Sequence, residues 1–181
     1  RGLGDVYKRQ IHDKGIVEYI EAIKILKKNG IKARFQILGA IDEEHKRGIP
    51  ANIINSWIRN GLIEYLGRVP DVRNYIKNAD CIVLPSYREG TPRTLLEAAG
   101  MARPIVTTNV AGCNNVVKDN YNGFLCSLKD VDDLADKMLK MYNLSIKERQ
   151  AFGKNGRELV EGSYDENVVI NKYQELVNYV A

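Results

Sequence analysis

The sequence lacks long hydrophobic runs, clustered histidines and paired cysteines, and each absence narrows the range of functions. No apolar stretch approaches the roughly 20 residues of a bilayer-spanning helix. Two histidines and the lack of a Cys-x-x-Cys pair argue against a protein-built zinc site. The three cysteines, Cys81, Cys113 and Cys126, are widely spaced, which is typical of buried, reduced thiols in a cytoplasmic protein.

The sequence also lacks a large excess of charge of one sign. It has 27 Lys and Arg residues and 23 Asp and Glu residues, so the net charge is +4. This balance is too weak and too dispersed to indicate a nucleic-acid partner, but it suits an anionic ligand or an anionic membrane surface. A hydrophobic content of 44% over 181 residues is typical of a single globular domain with one core.

Helical and extended patterns alternate along the chain, which is the signature of an α/β fold with a doubly wound, Rossmann-like parallel sheet. We predict strands at 33–38, 63–66, 81–84, 104–107 and 124–126. We predict helices at 15–28, 50–60, 71–77, 92–101 and 114–118, followed by three C-terminal helices at 131–142, 146–161 and 166–180. In these predictions Asp71 caps its helix and Pro92 occupies the first turn of its helix.

The first ten residues depart from this pattern. A doubly wound sheet needs a central strand before the first helix, but Asp5 to Gln10 is polar and has poor strand character. The opening from Arg1 to Gln10 also resembles a translated sequencing-adaptor scar. We therefore interpret residues 1–10 as non-native and residues 11–181 as one domain whose native upstream chain is missing.

The most informative stretch, 84–99, places a polar loop directly after a buried strand and directly before a helix. Ligands of open α/β sheets bind at the carboxyl ends of the strands, so this loop and the one containing Lys14 should flank the same crevice. Gly90 lets the backbone approach a ligand closely, and the start of the helix at Pro92 suits a phosphate. Lys14 adds a point charge, so we predict a diphosphate site without a P-loop.

One carboxylate lies just before this helix and a second lies within it. Glu89 precedes it, and Glu97 lies five positions past Pro92, roughly 7–8 Å along the axis. A carboxylate accepts two hydroxyl hydrogen bonds, so Glu97 suits the two ribose hydroxyls of a nucleotide and Glu89 suits sugar hydroxyls.

Simpler interpretations stay open for each of these residues. Glu97 could form only an i,i+4 ion pair with Arg93. Glu89 could be a solvated acid, Lys14 an ordinary surface lysine, and Tyr87 a residue that packs the loop without touching a ligand.

The run from Arg88 to Glu97 resembles the E-x7-E motif of group 1 retaining glycosyltransferases. The segments 101–112 and 119–124 resemble the next two segments of that family, and the similarity extends over residues 11–178. The chain looks most like transferases that add N-acetylhexosamine-type sugars to polyprenyl-diphosphate-linked glycans. The resemblance implies the C-terminal, nucleotide-sugar-binding domain of a two-domain GT-B architecture, without its N-terminal acceptor domain.

The resemblance also implies roles for individual residues. Glu89 matches the catalytic acid beside the donor sugar, Glu97 matches the ribose ligand, and Lys14 with Gly15 matches the diphosphate site. We expect the remaining donor contacts at Gly90, Thr91, Pro92, Arg93 and Thr94. The base-contacting loop is expected at Gly67, Arg68 and Val69.

Two positions depart from the family pattern. The family usually carries an arginine five residues before the lysine, and Arg9 stands there within the suspected scar. The family also often carries a glutamate shortly after the turn near Gly112, where Asn115 is the nearest counterpart.

The implied enzyme transfers a hexose or N-acetylhexosamine from a UDP-sugar to a lipid-linked glycan with retention, in polysaccharide or glycoprotein glycan synthesis. No cofactor and no metal is expected, because the helix end and Lys14 would stabilise the leaving diphosphate. The expected partners are the nucleotide-sugar donor and a glycan acceptor held by the missing domain. The expected location is the cytoplasm or the inner face of the cytoplasmic membrane.

Three other functions stay open at this point. One is half of a sugar-nucleotide 2-epimerase, which would favour additional histidines and acids in the cleft. Another is a flavodoxin-like regulatory module, which would want a lysine where the fifth strand ends in Thr107, Thr108 and Asn109. The third is a nucleotide-binding module that is inactive as an isolated fragment.

Overall fold

The computed structural model describes residues 2–7, 12–41 and 47–180. Its strands are β1 Gly2–Tyr7, β2 Arg34–Leu38, β3 Glu64–Gly67, β4 Ile82–Leu84, β5 Ile105–Thr108 and β6 Gly123–Cys126. A short 3-10 turn spans His12–Lys14. The helices are α1 Ile16–Lys28, α2 Ala51–Arg59, α3 Arg73–Asn78, α4 Arg93–Gly100, α5 Cys113–Val116, α6 Val131–Asn143, α7 Ile146–Tyr164 and α8 Glu166–Val180.

The strands form two three-stranded sheets, β1-β2-β3 and β4-β5-β6, and every pairing within them is parallel. Strand β1 also lies against β4, so the strands follow the spatial order 3-2-1-4-5-6 of a doubly wound fold. The predicted α/β fold with C-terminal helices is therefore confirmed, and so is the predicted place of 81–84 beside the first strand.

The stretch Gly2–Tyr7 corrects one expectation, because it forms the first strand in spite of its weak side-chain pattern. Backbone pairing with β2 supplies its hydrogen bonds, with Val6 opposite Ile37 and Tyr7 opposite Leu38. Residues 8–10 lie outside the described residues. The foreign origin of residues 1–10 stays a prediction.

Two helix starts differ from the sequence-based predictions. Pro92 is the N-cap of α4 with an extended backbone, so it precedes the first helical turn. Val72 is the N-cap of α3, where Asp71 had been expected. The Asp71 carboxylate nevertheless accepts a hydrogen bond from the backbone N–H of Arg73 at 2.9 Å, so it still satisfies one of the exposed helix-end donors.

Helices cover both faces of the sheet because neighbouring strand residues point to opposite sides. In β4, Val83 faces the core beneath α1 and α6, whereas Ile82 and Leu84 face the core beneath α3, α4 and α7. The first core also contains an edge-to-face contact between Tyr19 and Phe35, whose ring centroids lie 6.5 Å apart.

The three cysteines are free and buried, as the sequence predicts. Burial raises the pKa of Cys126 to about 12, so its thiol stays protonated and unreactive.

Within the described residues, no helix combines the length and hydrophobicity that crossing a membrane would require.

A tight backbone contact joins α7 to the turn after α4. Gly153 lies in α7, and a Cβ atom at this position would stand 2.0 Å from the carbonyl oxygen of Ala102. Real Cβ atoms do not approach a backbone oxygen so closely, so the packing distance between α7 and this turn depends on the missing side chain.

We expect Gly153→Ala to lower the free energy of unfolding by about 1–3 kcal/mol, because α7 must move away from the turn. The matched control is Gly162→Ala in the same helix, where an added Cβ meets no described atom within 4 Å. This control should raise the stability by about 0.5 kcal/mol, because alanine favours a helix over glycine. Urea denaturation checks both values, and equal effects would contradict the close contact.

Candidate functional site

Two loops meet at the carboxyl edge of the sheet, as the sequence predicts. The backbone N–H of Tyr87, in the loop between β4 and α4, donates to the carbonyl oxygen of Asp13 at 2.9 Å. The hydroxyl of buried Ser86 donates to the same oxygen at 3.0 Å. The 12–15 turn and the loop after β4 therefore form one connected structure.

Lys14 and Glu89 form an ion pair across these loops. The Lys14 Nζ donates to Glu89 Oε1 at 2.5 Å, and the two side chains are only 14% and 8% exposed. The interpretations of Glu89 as a solvated acid and of Lys14 as an ordinary surface lysine are therefore wrong. A pair so poorly hydrated interacts more strongly than a surface pair, and neither charge tolerates the loss of the other.

Glycines set the distance between the loops. Gly15 has a φ of +70°, and a Cβ there would lie 2.0 Å from the carbonyl oxygen of Pro85. Gly112, after β5, has a φ of +85°, and its Cβ would lie 1.5 Å from the carbonyl oxygen of Gly90. A side chain at Gly15 would push apart the loops that carry Lys14 and Glu89. A side chain at Gly112 would push the loop that carries Glu89 away from the loop after β5, so both sites need glycine.

Hydroxyl groups at the end of β5 complete this scaffold. Thr107 Oγ1 donates to the carbonyl oxygen of Leu84 at 2.7 Å, and Thr108 Oγ1 donates to that of Ser86. The sequence reasoning assigned no role to these threonines or to Ser86. The signal that could have revealed them is the change from apolar to hydroxyl side chains where two buried strands end.

The predicted donor contacts around the start of α4 differ in exposure. Gly90, Thr91 and Arg93 are exposed, whereas Pro92 and the side chain of Thr94 are buried. Thr94 is only 1% exposed, so neither its side chain nor its backbone faces solvent in this arrangement.

Glu97 is exposed on α4 and lines a groove with a volume of about 590 Å³. The groove runs between α3 and α4, and its other lining residues are Pro70, Asp71, Val72, Arg73, Ile76, Gly100 and Met101. It begins directly after the predicted base-contacting loop of Gly67, Arg68 and Val69, and of these three Arg68 is exposed. Glu89 is not among the lining residues, so the two carboxylates occupy separate places. The ion-pair interpretation of Glu97 stays open.

The structure describes one of the two positions that depart from the family pattern. Asn115 is exposed in α5, whereas Arg9 lies outside the described residues. Among the residues that the structure describes, no group of three or more His, Cys, Asp and Glu side chains is arranged to hold a metal ion.

A family comparison joins this geometry to a known group of enzymes. The model of the family described as glycosyl transferases group 1 matches residues 6–159, a range that contains all the predicted donor-binding residues. The chain belongs to this family. Membership of the group 1 glycosyltransferases favours a transferase over both the epimerase and the regulatory module.

Two individual relatives of this group 1 glycosyltransferase chain are also named as glycosyltransferases. It is 31% identical over 172 residues to the N,N'-diacetylbacillosaminyl-diphospho-undecaprenol alpha-1,3-N-acetylgalactosaminyltransferase of Campylobacter jejuni, covering 95% of this chain and 43% of the relative. It is 30% identical over 111 residues to the UDP-Gal:alpha-D-GlcNAc-diphosphoundecaprenol alpha-1,3-galactosyltransferase of Escherichia coli, covering 61% of this chain and 28% of the relative. The chain thus spans less than half of these relatives.

A solved structure supports the fold of this group 1 glycosyltransferase. The C-terminal domain of a glycosyl transferase group 1 family protein from Francisella tularensis superimposes with a TM-score of 0.76 at 26% identity. The match covers 91% of this chain and 86% of that structure. The predicted GT-B type of fold is confirmed.

We expect Lys14→Met to lower the free energy of unfolding by about 3 kcal/mol, because Glu89 would stay buried without its partner. The double variant Lys14→Met/Glu89→Gln should recover most of this loss, because it leaves no unpaired charge. The control is Lys24→Met, which removes a pair with Glu21 that is 49% and 45% exposed and should cost at most about 0.5 kcal/mol. Similar losses in the two single variants, measured by urea denaturation, would contradict a buried pair.

Proposed function

We propose that the chain is the donor-binding domain of a retaining glycosyltransferase and that it binds a UDP-sugar, with N-acetylhexosamine or a related unit as the sugar. The observation that carries this proposal is the poorly hydrated Lys14–Glu89 pair, which lies at the carboxyl edge of the sheet within the segment matched by the family. A cation and an acceptor held side by side suit the junction between a diphosphate and a sugar.

In this proposal Lys14 stands beside the diphosphate, where negative charge develops as the bond to the anomeric carbon breaks. A fixed positive charge in a poorly hydrated site stabilises such a leaving group more than water does, and the N-terminal end of α4 adds a partial positive charge. The reaction then needs neither a metal ion nor an organic cofactor for this step.

Glu89 positions the sugar. An ionised carboxylate offers about four acceptor positions on two oxygens, so the bond from Lys14 leaves capacity for sugar hydroxyls. Glu97, in the groove between α3 and α4, holds the ribose, and the 67–69 loop contacts the base. This order places the nucleoside on one side of α4 and the sugar over the loop that precedes it.

The acceptor in this proposal is a polyprenyl-diphosphate-linked glycan. Support comes from the names of the Campylobacter jejuni and Escherichia coli relatives, both of which specify an undecaprenol-linked diphosphate acceptor. Because the chain spans less than half of each, we place the acceptor contacts in an N-terminal domain beyond this sequence. The isolated chain should bind nucleotide without transferring sugar.

The proposed location of the enzyme is the cytoplasm, at the inner face of the membrane. A lipid-linked acceptor and a net charge of +4 support this location.

We expect uridine diphosphate to bind at least about tenfold more tightly than adenosine or guanosine diphosphate, a difference of about 1.4 kcal/mol. The E. coli relative is named with a UDP-linked donor, and this name supports the choice of uridine. Isothermal titration of the three nucleotides into this chain, repeated with a full-length relative, checks the ranking. Equal affinities would refute the choice of base.

We expect Glu97→Gln to weaken nucleotide binding by about 1.5–3 kcal/mol, because charge-assisted hydrogen bonds to the ribose would be lost. Wild type should bind a 2′,3′-dideoxy nucleotide poorly, and the variant should hardly distinguish it from the intact ribose. The matched control is Glu158→Gln, which removes an exposed i,i+4 pair with Lys154 and should leave binding unchanged. A Glu97→Gln variant that still prefers the intact ribose would remove Glu97 from the site.

A further inference from the structure

Tyr87 belongs to the loop that carries Glu89, but its side chain turns away from the exposed edge and towards α1. The Tyr87 hydroxyl donates to Glu18 Oε1 at 2.5 Å, and both residues are half-buried. Tyr87 lies two residues before Glu89, and Glu18 lies four residues, or about one helical turn, after Lys14. One side-chain hydrogen bond therefore joins the segments that carry the two charges of the site.

This hydrogen bond has little to replace it. Among the described residues, the second oxygen of Glu18 is buried without a hydrogen-bond partner, so the carboxylate depends on the Tyr87 hydroxyl. The small cavity between Glu18, Pro85 and Thr108 has no room for a water molecule. Burial and the bond to Glu18 raise the pKa of Tyr87, so the hydroxyl keeps its proton at neutral pH.

A third segment of the chain contacts the face of the Tyr87 ring. Lys129, in the loop between β6 and α6, places its Nζ 4.6 Å from the centroid of this ring. The distance is that of a cation–π contact, which restrains the ring without engaging the hydroxyl. The ring and the hydroxyl of Tyr87 are therefore held by two different elements.

Two attachment points fix the orientation of the loop. The backbone N–H of Tyr87 is bound to Asp13, which precedes Lys14, and its hydroxyl is bound to Glu18, which follows Lys14. Ser86 and Thr108 also hold this loop, at its start, through hydrogen bonds to Asp13 and from β5. The bond from Tyr87 to Glu18 adds an attachment to α1 two residues before Glu89, and it restrains the distance between Lys14 and Glu89.

We propose that Tyr87 and Glu18 are positioning residues that hold Lys14 and Glu89 at the spacing required by the diphosphate and the sugar of the donor, an inference that rests on the proposed donor-binding function. Because the Tyr87 hydroxyl is occupied by Glu18, its effect on a ligand passes through Lys14 and Glu89. The donor-binding proposal places Lys14 beside the diphosphate, so the part of the donor expected to be affected is the second phosphate.

The test compares the affinities of uridine diphosphate and uridine monophosphate. Tyr87→Phe keeps the ring and its contact with Lys129 and removes only the hydroxyl. It should weaken diphosphate binding roughly 3- to 10-fold, the effect of one lost hydrogen bond, and change monophosphate binding less than about twofold. Glu18→Leu should reproduce this result. Glu18→Gln keeps an oxygen acceptor and should retain the wild-type ratio of the two affinities.

A double variant shows whether the effect passes through Lys14. In a Lys14→Met background, Tyr87→Phe should cause no further loss of diphosphate affinity, because its target is already gone. A further loss of the original size would overturn the proposal. The control for general destabilisation is Ile63→Val, which removes a buried methylene at the opposite edge of the sheet and should leave the affinity ratio unchanged.

Amide hydrogen exchange separates a failure of this inference from a failure of the proposed function. Without nucleotide, Tyr87→Phe should speed exchange at the Tyr87 amide, whose bond to Asp13 would loosen. One outcome is that wild type binds uridine diphosphate while Tyr87→Phe changes neither the ratio of the two affinities nor the exchange rate at residue 87. This result would refute the positioning role alone. A wild type that binds neither nucleotide would refute the donor-binding function, and exchange would then still decide whether the pair holds the loop.

Discussion

The carbonyl oxygen of Asp13 accepts hydrogen bonds from both the Ser86 hydroxyl and the Tyr87 amide, and the rest of the site depends on this shared acceptor. It joins the turn before α1 to the loop after β4, which are far apart in sequence. Parallel strands bring both segments to the same edge of the sheet, but only within several ångströms. The double hydrogen bond closes the remaining gap and lets Lys14 reach Glu89.

This arrangement has a consequence for ligand binding. The Lys14–Glu89 pair is neutral as a unit, so the site can exist in a poorly hydrated place without a ligand. In the donor complex proposed above, a diphosphate draws Lys14 partly away from Glu89, and sugar hydroxyls occupy the acceptor positions of Glu89 that the lysine does not use. A ligand that supplies both groups together satisfies both residues, whereas one that supplies only one group leaves the other less well paired. The pair therefore favours an intact donor over its fragments.

Periodicity and motif spacing predicted the architecture well, because helices and parallel strands leave regular patterns. The α4 segment, with Glu89 before it and Glu97 within it, was predicted from the order of strand, loop and helix together with the E-x7-E spacing. The strand at Gly2–Tyr7 was misjudged because its place depends on backbone pairing with β2, which side-chain patterns do not record. The contacts from Tyr87 to Glu18 and from Lys14 to Glu89 span about 70 residues or more of sequence and arise in loops, where no periodicity gives the direction of a side chain.

The contact between Gly112 and Gly90 limits how this site can change. Because the carbonyl oxygen of Gly90 fills the space that a side chain at 112 would need, the loop after β5 fits only one path of the loop after β4. Replacing only one of the two loops with the corresponding loop of a relative would combine two backbone paths that do not fit together. If these loops form the donor site proposed above, altering the sugar preference by evolution or by engineering requires moving both loops as a single unit. Point substitutions are better tolerated at exposed positions such as Thr91, where the backbone path is preserved.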